Sequence, residues 1–205
     1  MKKILTFMVF VFVYSSNTLA YPVLTFNGGM NYSADTGYLT ISGALDAALD
    51  VTPFPDLATT TFELTTQFTG ISAFSNSSMT VADFTGIGDT SLIISDAVSG
   101  ILLQGDLSYI EMRGTNGSNR GFLFADFVPA TGLLLDQFSP LSGLVAFQLN
   151  LTNAFSTSMF ETSFSGNVNG DVSNPDYVSV PEPSIFALLA IGLVATFITR
   201  KKINN

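Results

Sequence analysis

Apolar and polar side chains alternate with period two along most of the middle of this chain, in runs too short for helices and punctuated by glycine and asparagine. Phe62-Glu63-Leu64-Thr65-Thr66-Gln67-Phe68 puts Phe62, Leu64 and Phe68 on one face. Leu39 and Ile41 alternate with Tyr38, Thr40 and Ser42 between Gly37 and Gly43, and Val145, Phe147, Leu149 and Leu151 oppose Leu144, Ala146 and Gln148. Successive side chains of a strand point to opposite faces, so each run predicts a strand with one face buried. Further strands are expected at Leu92–Ile94, Ile101–Leu103, Leu107–Met112, Gly121–Phe127, Leu133–Leu135 and Phe160–Val168. Asn27-Gly28-Gly29, Gly86-Ile87-Gly88-Asp89, Thr115-Asn116-Gly117-Ser118 and Ala130-Thr131-Gly132 read as turns. Gly43–Asp50 fits one or two helical turns as well as a strand with its connection. The expected fold is all-β: an antiparallel β-sandwich or jelly-roll-like domain of roughly eight to twelve strands. A β-solenoid would also use glycine-bounded strands, but no fixed period recurs.

The two ends break this pattern. Met1-Lys2-Lys3 precedes an apolar run of 11 residues, Ile4–Tyr14, and a polar stretch ending in Thr18-Leu19-Ala20. A basic start, a short apolar run and a small-x-small tripeptide make a secretory signal peptide over residues 1–20. Signal peptidase is expected to cut between Ala20 and Tyr21. The run is too short to span a bilayer core, which needs about 20 residues. At the other end Ser184–Thr199 carries no charge and holds nine large apolar residues, a membrane-inserting segment favoured by about 3–5 kcal/mol. As a helix it would rise about 24 Å, enough for a modest transmembrane stop. Arg200, Lys201 and Lys202 follow it directly and should stay cytoplasmic, leaving the main domain on the far side of the inner membrane. Pro181 and Pro183 hold Val180 and Glu182 extended, because a residue before proline avoids the helical region. The result is an exposed tripeptide at the outer membrane edge, shaped for a site-specific protease or transpeptidase. A simple single-span anchor is the plainer alternative.

Composition narrows the chemistry. The chain has no Cys, His or Trp, which removes Ser-His-Asp and Cys-His catalysis, zinc and haem sites, and disulfide staples. Between Tyr21 and Pro183 two cations, Arg113 and Arg120, stand against all 16 acids, a net charge of −14. Such a surface repels phosphate backbones, so nucleic acid is no partner. Asp46, Asp50, Glu63 or Glu111 could serve a carboxylate pair for glycoside cleavage, but no spacing singles any of them out, and no enzyme is expected. Calcium is a candidate ligand at Asn167-Val168-Asn169-Gly170-Asp171 and Gly88-Asp89, although the twelve-residue loop with its terminal Glu is missing. Sugar stacking would fall to Tyr21, Tyr32, Tyr38, Tyr109, Tyr177 and the phenylalanines. Residues 166–179, rich in Gly, Asn and Pro, read as a flexible linker between a β-rich domain over 21–165 and the terminal segment 180–205.

Val180-Pro181-Glu182-Pro183-Ser184, the apolar run to Thr199 and the cluster Arg200-Lys201-Lys202 together resemble the PEP-CTERM sorting signal, the proposed recognition element of exosortase in bacteria that make extracellular polysaccharide. The likeness covers about the last 26 residues. The tail Ile203-Asn204-Asn205 departs from members that stop sooner. The resemblance implies an exosortase partner reading Pro181-Glu182-Pro183. It also implies a destination at the cell surface or in an extracellular matrix or biofilm, with exopolysaccharide as the associated material. A carbohydrate- or calcium-binding surface module is the alternative role.

Overall fold

The structure, a computed structural model, describes residues 21–53, 55–138 and 143–174. Tyr21–Asp176 form one compact unit. The alternation read from the sequence folds into nine strands among the described residues, all paired antiparallel. They are β1 (Val23–Tyr32), β2 (Tyr38–Leu49), β3 (Thr60–Ile71), β4 (Met79–Gly86), β5 (Leu92–Asp96), β6 (Gly100–Thr115), β7 (Arg120–Thr131), β8 (Gly143–Leu151) and β9 (Phe164–Ser173). One helical turn, α1 (Leu135–Phe138), precedes β8, and a 3₁₀ turn (Met159–Glu161) precedes β9.

All-β holds, but the sandwich or jelly roll does not. Pairing runs without a break from β2 through β1, β9, β8, β7, β6 and β4 to β3, and β3 pairs back onto β2. One sheet thus closes on itself into a barrel of eight staves, leaving no free edge. The ninth strand adds no stave: β4 pairs with the C-terminal half of β3 and β5 with its N-terminal half, while both pair with β6. They are two lengths of one interrupted stave, joined through Ile87–Ser91. Ser91 holds that excursion in place, its hydroxyl receiving the Ile87 N–H and donating to Asp106 at 2.7 Å.

Apolar side chains point inward along the staves and polar ones outward, the reverse of a membrane-spanning barrel. The interior is filled rather than hollow. Phe62 on β3 and Phe147 on β8 belong to diametrically opposite staves, yet their rings stack 5.6 Å apart, with Phe26 of β1 at 4.5 Å from Phe62. Leu134 and Phe138, fully buried, close one end, where Gln137 bonds both ways with the Thr52 backbone. At the other end Tyr32 packs among Phe68, Phe84, Phe160 and Phe164, with centroids 4.9–6.5 Å away, and its hydroxyl donates to the Phe160 carbonyl at 3.2 Å. Burial pushes the Tyr32 phenol up. Phe155 lies against Gly114 and Gly121, where a Cβ would come within 2.3 and 2.4 Å of its ring.

Several expectations change here. Residues 166–173, read as the start of a linker, are β9, hydrogen-bonded to β1 on one side and β8 on the other. Asn27-Gly28-Gly29, read as a turn, lies inside β1. Gly28 faces Gly43 of β2, and a Cβ on Gly28 would sit 2.2 Å from the Ser42 carbonyl oxygen, so this glycine pair lets two strands close tightly around the barrel. Gly43–Asp50 is strand rather than helix, ending at Asp50, which has a φ of 53°. Leu133–Leu135 is a turn leading into α1, and Phe160–Val168 is divided between the 3₁₀ turn and β9. Among the described residues no helix is long and apolar enough to cross a membrane. The signal peptide and the Ser184–Thr199 span lie outside the described residues.

Candidate functional site

Of the residues expected to carry sorting, only Tyr21 is described, 38% exposed at the start of the barrel. Ala20, Pro181, Glu182, Pro183, Arg200, Lys201 and Lys202 lie outside the described residues. The chain enters and leaves the barrel at the same end: Val23 pairs with Ser173, and Asn174 N–H donates to the Pro22 carbonyl. This is also the end that Leu134 and Phe138 close, since the Asn174 side-chain amide donates to the Gln137 carbonyl at 3.3 Å.

The nominated carboxylates do not assemble. Glu63 faces outward on β3, Glu111 is bound in an ion pair with Arg113 two residues along β6, and Asp46 and Asp50 sit at the end of β2. The acid held most firmly is one the sequence did not suggest, Asp96. It accepts from the Thr59 hydroxyl at 2.7 Å and from the backbone N–H groups of Ser99 and Val98 at 2.7 and 2.8 Å, and these bonds lower its pKa to about 2. Its donors tie the β5–β6 turn to the start of β3, a structural duty. The calcium reading of Asn167–Asp171 meets regular strand: Asn167, Asn169 and Asp171 are spaced two residues apart along β9, with ladders on both sides, and so do not curl around a cation. Among the described residues no group of three or more metal-ligating side chains is present.

Two surface features remain. A shallow groove of about 340 Å³ runs over the outer wall between β2, β3 and β5, lined by the hydroxyls of Ser42, Thr61 and Ser95, the carboxylate of Glu63 and the side chain of Ile93. The second lies on β7. Its apolar run Gly121–Phe127 supplies both faces of the strand: Leu123, Ala125 and Phe127 go into the core, while Phe122 and Phe124 stand outside, 49% and 36% exposed, their rings stacked 5.9 Å apart. Beside them β6 carries a bulge in which Tyr109 and Ile110 together oppose Ala125. Ile110 turns inward; Tyr109 is 85% exposed with a φ of 49°. A left-handed tyrosine costs about 1–2 kcal/mol, and burial returns nothing here. Of the tyrosines weighed for stacking, Tyr177 lies outside the described residues, Tyr32 is in the core, and Tyr21 and Tyr38 are 38% and 41% exposed; among the described ones Tyr109 is the one that flanks the exposed pair Phe122 and Phe124. A run apolar on both faces was the only sequence sign of this strip.

No curated protein and no solved structure matches the chain. A family model described as the PEP-CTERM protein-sorting motif matches residues 179–202, a segment that takes in the Pro-Glu-Pro, the apolar run and all three basic residues. The chain therefore carries a PEP-CTERM protein-sorting motif at residues 179–202.

Proposed function

We propose that this protein is exported, presented to exosortase through Pro181-Glu182-Pro183, and left at the cell surface or in an extracellular matrix as a non-enzymatic component associated with exopolysaccharide. The sorting motif at residues 179–202 is the observation that carries the reading. In this account signal peptidase frees Tyr21, Ser184–Thr199 halts in the inner membrane with Arg200-Lys201-Lys202 in the cytoplasm, and the proline-stiffened neck waits at the outer edge. The barrel supports a structural rather than catalytic role. Its interior is filled with phenylalanine and leucine, its best-held carboxylate is consumed by turn hydrogen bonds, and the chain has no His or Cys to act as base or nucleophile. Closure of the sheet suits a matrix protein, because a barrel without edges does not template strand addition at high local concentration.

Intact-mass measurement of the mature protein from its native host, with and without exosortase, tests this. A mass that ends near Pro183 in the wild type, and extends to Asn205 without exosortase, is the expected pair. A wild-type mass retaining Ile185–Asn205 would overturn processing and return the tail to the role of a plain anchor.

A further inference from the structure

Arg113, Phe122, Gln148, Asn169 and Asn27 stand in register on five consecutive staves, β6, β7, β8, β9 and β1, and all five are exposed on the outer wall. They span four strand spacings, about 19 Å. Asn169 donates its side-chain amide to the Asn27 side-chain carbonyl, so the two side chains are tied to each other rather than left as free rotors. Phe124 extends the row along β7, and the Tyr109 bulge flanks it. From this arrangement we propose that the outer wall over β6–β1 is a binding strip for an uncharged, extended polysaccharide, with Phe122 and Phe124 stacking against pyranose faces and the amides of Gln148, Asn169 and Asn27 meeting the hydroxyls.

Three properties of the strip select that partner. Stacked phenyl rings 5.9 Å apart, about the length of one pyranose unit, offer apolar faces without a pocket. A side-chain amide carries both donors and an acceptor, the pairing that a sugar hydroxyl needs. Charge is the third. The domain is strongly acidic, but both of its arginines are on this wall, Arg113 opposite Phe122 and Arg120 two residues before it on β7. Arg113 is matched locally by Glu111, and Arg120 is offset by Asp126 on β7 and the partly buried Asp171 on β9, which face the same wall. The strip is thus close to neutral in an anionic surface, which suits neither a polyanion nor an anionic lipid face. A protein partner would be expected to seat its anchors in desolvated pockets, whereas these rings stand on an open wall. The bulge adds an independent sign. A tyrosine held at positive φ with its ring in water is the kind of local cost that persists where a side chain is displayed for contact.

The inference deepens the proposed surface role by naming the chemistry of its partner, and it rests on that role only for the setting in which the glycan is met. Its test uses the full chain purified in mild detergent, so failure leaves the tail-processing experiment untouched. Binding of cellohexaose and chitohexaose is measured by titration calorimetry for the wild type, for Phe122→Ala/Phe124→Ala and for Gln148→Ala, with the thermal midpoint of each. The expected result is saturable binding of at least one hexaose, weakened at least tenfold in the double variant and severalfold in Gln148→Ala, with all midpoints within a few degrees. Absence of saturable binding to both sugars, or equal binding by the double variant, would overturn the proposal. So would a concentration-dependent dimer that the double variant abolishes, since that would assign the strip to a second copy of the chain.

Discussion

Two aspartates show how local surroundings, rather than residue type, decide what a carboxylate contributes. Asp96 is held ionised, first by the Thr59 hydroxyl and then by the Ser99 and Val98 amides, with a folded pKa of about 2. A depressed folded pKa stabilises the native state above the ordinary carboxylate pKa, and that contribution is lost as pH falls toward the folded value. Asp96→Ala should therefore lower the thermal midpoint at pH 7, and the gap to wild type should close as pH approaches 2; a gap unchanged between pH 7 and pH 2 would mean that the charge contributes nothing. Asp171 is the opposite case. On β9, between Thr25 and Ala146, it is pushed up by burial, with a bond from Ser173 offsetting part of the shift. A raised folded pKa favours the native state at low pH, and that benefit disappears as pH rises through the folded value. Asp171→Asn is expected to raise the midpoint at pH 7 and to lose the advantage at pH 3, in thermal scans at the two pH values.

At the level of elements, the strand that completes the barrel is the one whose sequence looks least like a strand. Phe164–Ser173 contains two glycines and two asparagines, and only Phe164, Val168 and Val172 mark a buried face, at a spacing of four rather than two. The two intervening inward positions are glycines, Gly166 crowded by the Asn150 carbonyl and Leu151 and Gly170 by the Ala146 carbonyl and the Phe147 ring, so this strand needs gaps where a pattern would show hydrophobes. The same physics hid β1, whose Asn27-Gly28-Gly29 looks like a turn, and β4, where Thr80, Val81 and Ala82 are buried in succession. Runs with clean alternation, such as Phe62–Phe68 and Leu144–Leu151, were legible as strands, the first with its inward face and the second with its two faces correctly separated. Closure was not, because a sandwich and a barrel require the same alternation; they differ only in whether β3 pairs back onto β2. Nor could the exposed pair Phe122 and Phe124 be told from the core when both faces of β7 are apolar. Ending the exported domain at Ser165, where the composition changes, should leave an open sheet that lacks two ladders and fails to give a cooperative thermal transition. Ending it at Asn174 should preserve the fold, and circular dichroism with size-exclusion chromatography compares the two. Within β1, Gly28→Ala is expected to cost about 1–3 kcal/mol by forcing β1 and β2 apart, read as a shift in the denaturant midpoint.

The whole molecule combines a filled, edgeless barrel with a net charge of −14 between Tyr21 and Pro183 and no disulfide to resist that repulsion. Charges of one sign on a compact surface oppose folding, and salt screens them over a Debye length of about 30 Å at 0.01 M and about 10 Å at 0.1 M. Most of the acids project from outward strand positions or turns, where screening acts fully, whereas the one ion pair among the described residues, Glu111 with Arg113, is partly exposed and contributes little that salt could remove. Salt should therefore stabilise this protein on balance. The thermal midpoint is expected to rise by several degrees between 0.01 M and 0.5 M sodium chloride, with most of the rise below 0.2 M. Calcium chloride and magnesium chloride at matched ionic strength should give equal midpoints, because diffuse screening does not distinguish the two cations and the Asn167–Asp171 ligand set is stretched along a strand. A calcium midpoint clearly above that of magnesium would establish a specific site on the surface; a midpoint indifferent to salt would mean that the acids are too widely spread over the barrel for their repulsion to oppose its closure.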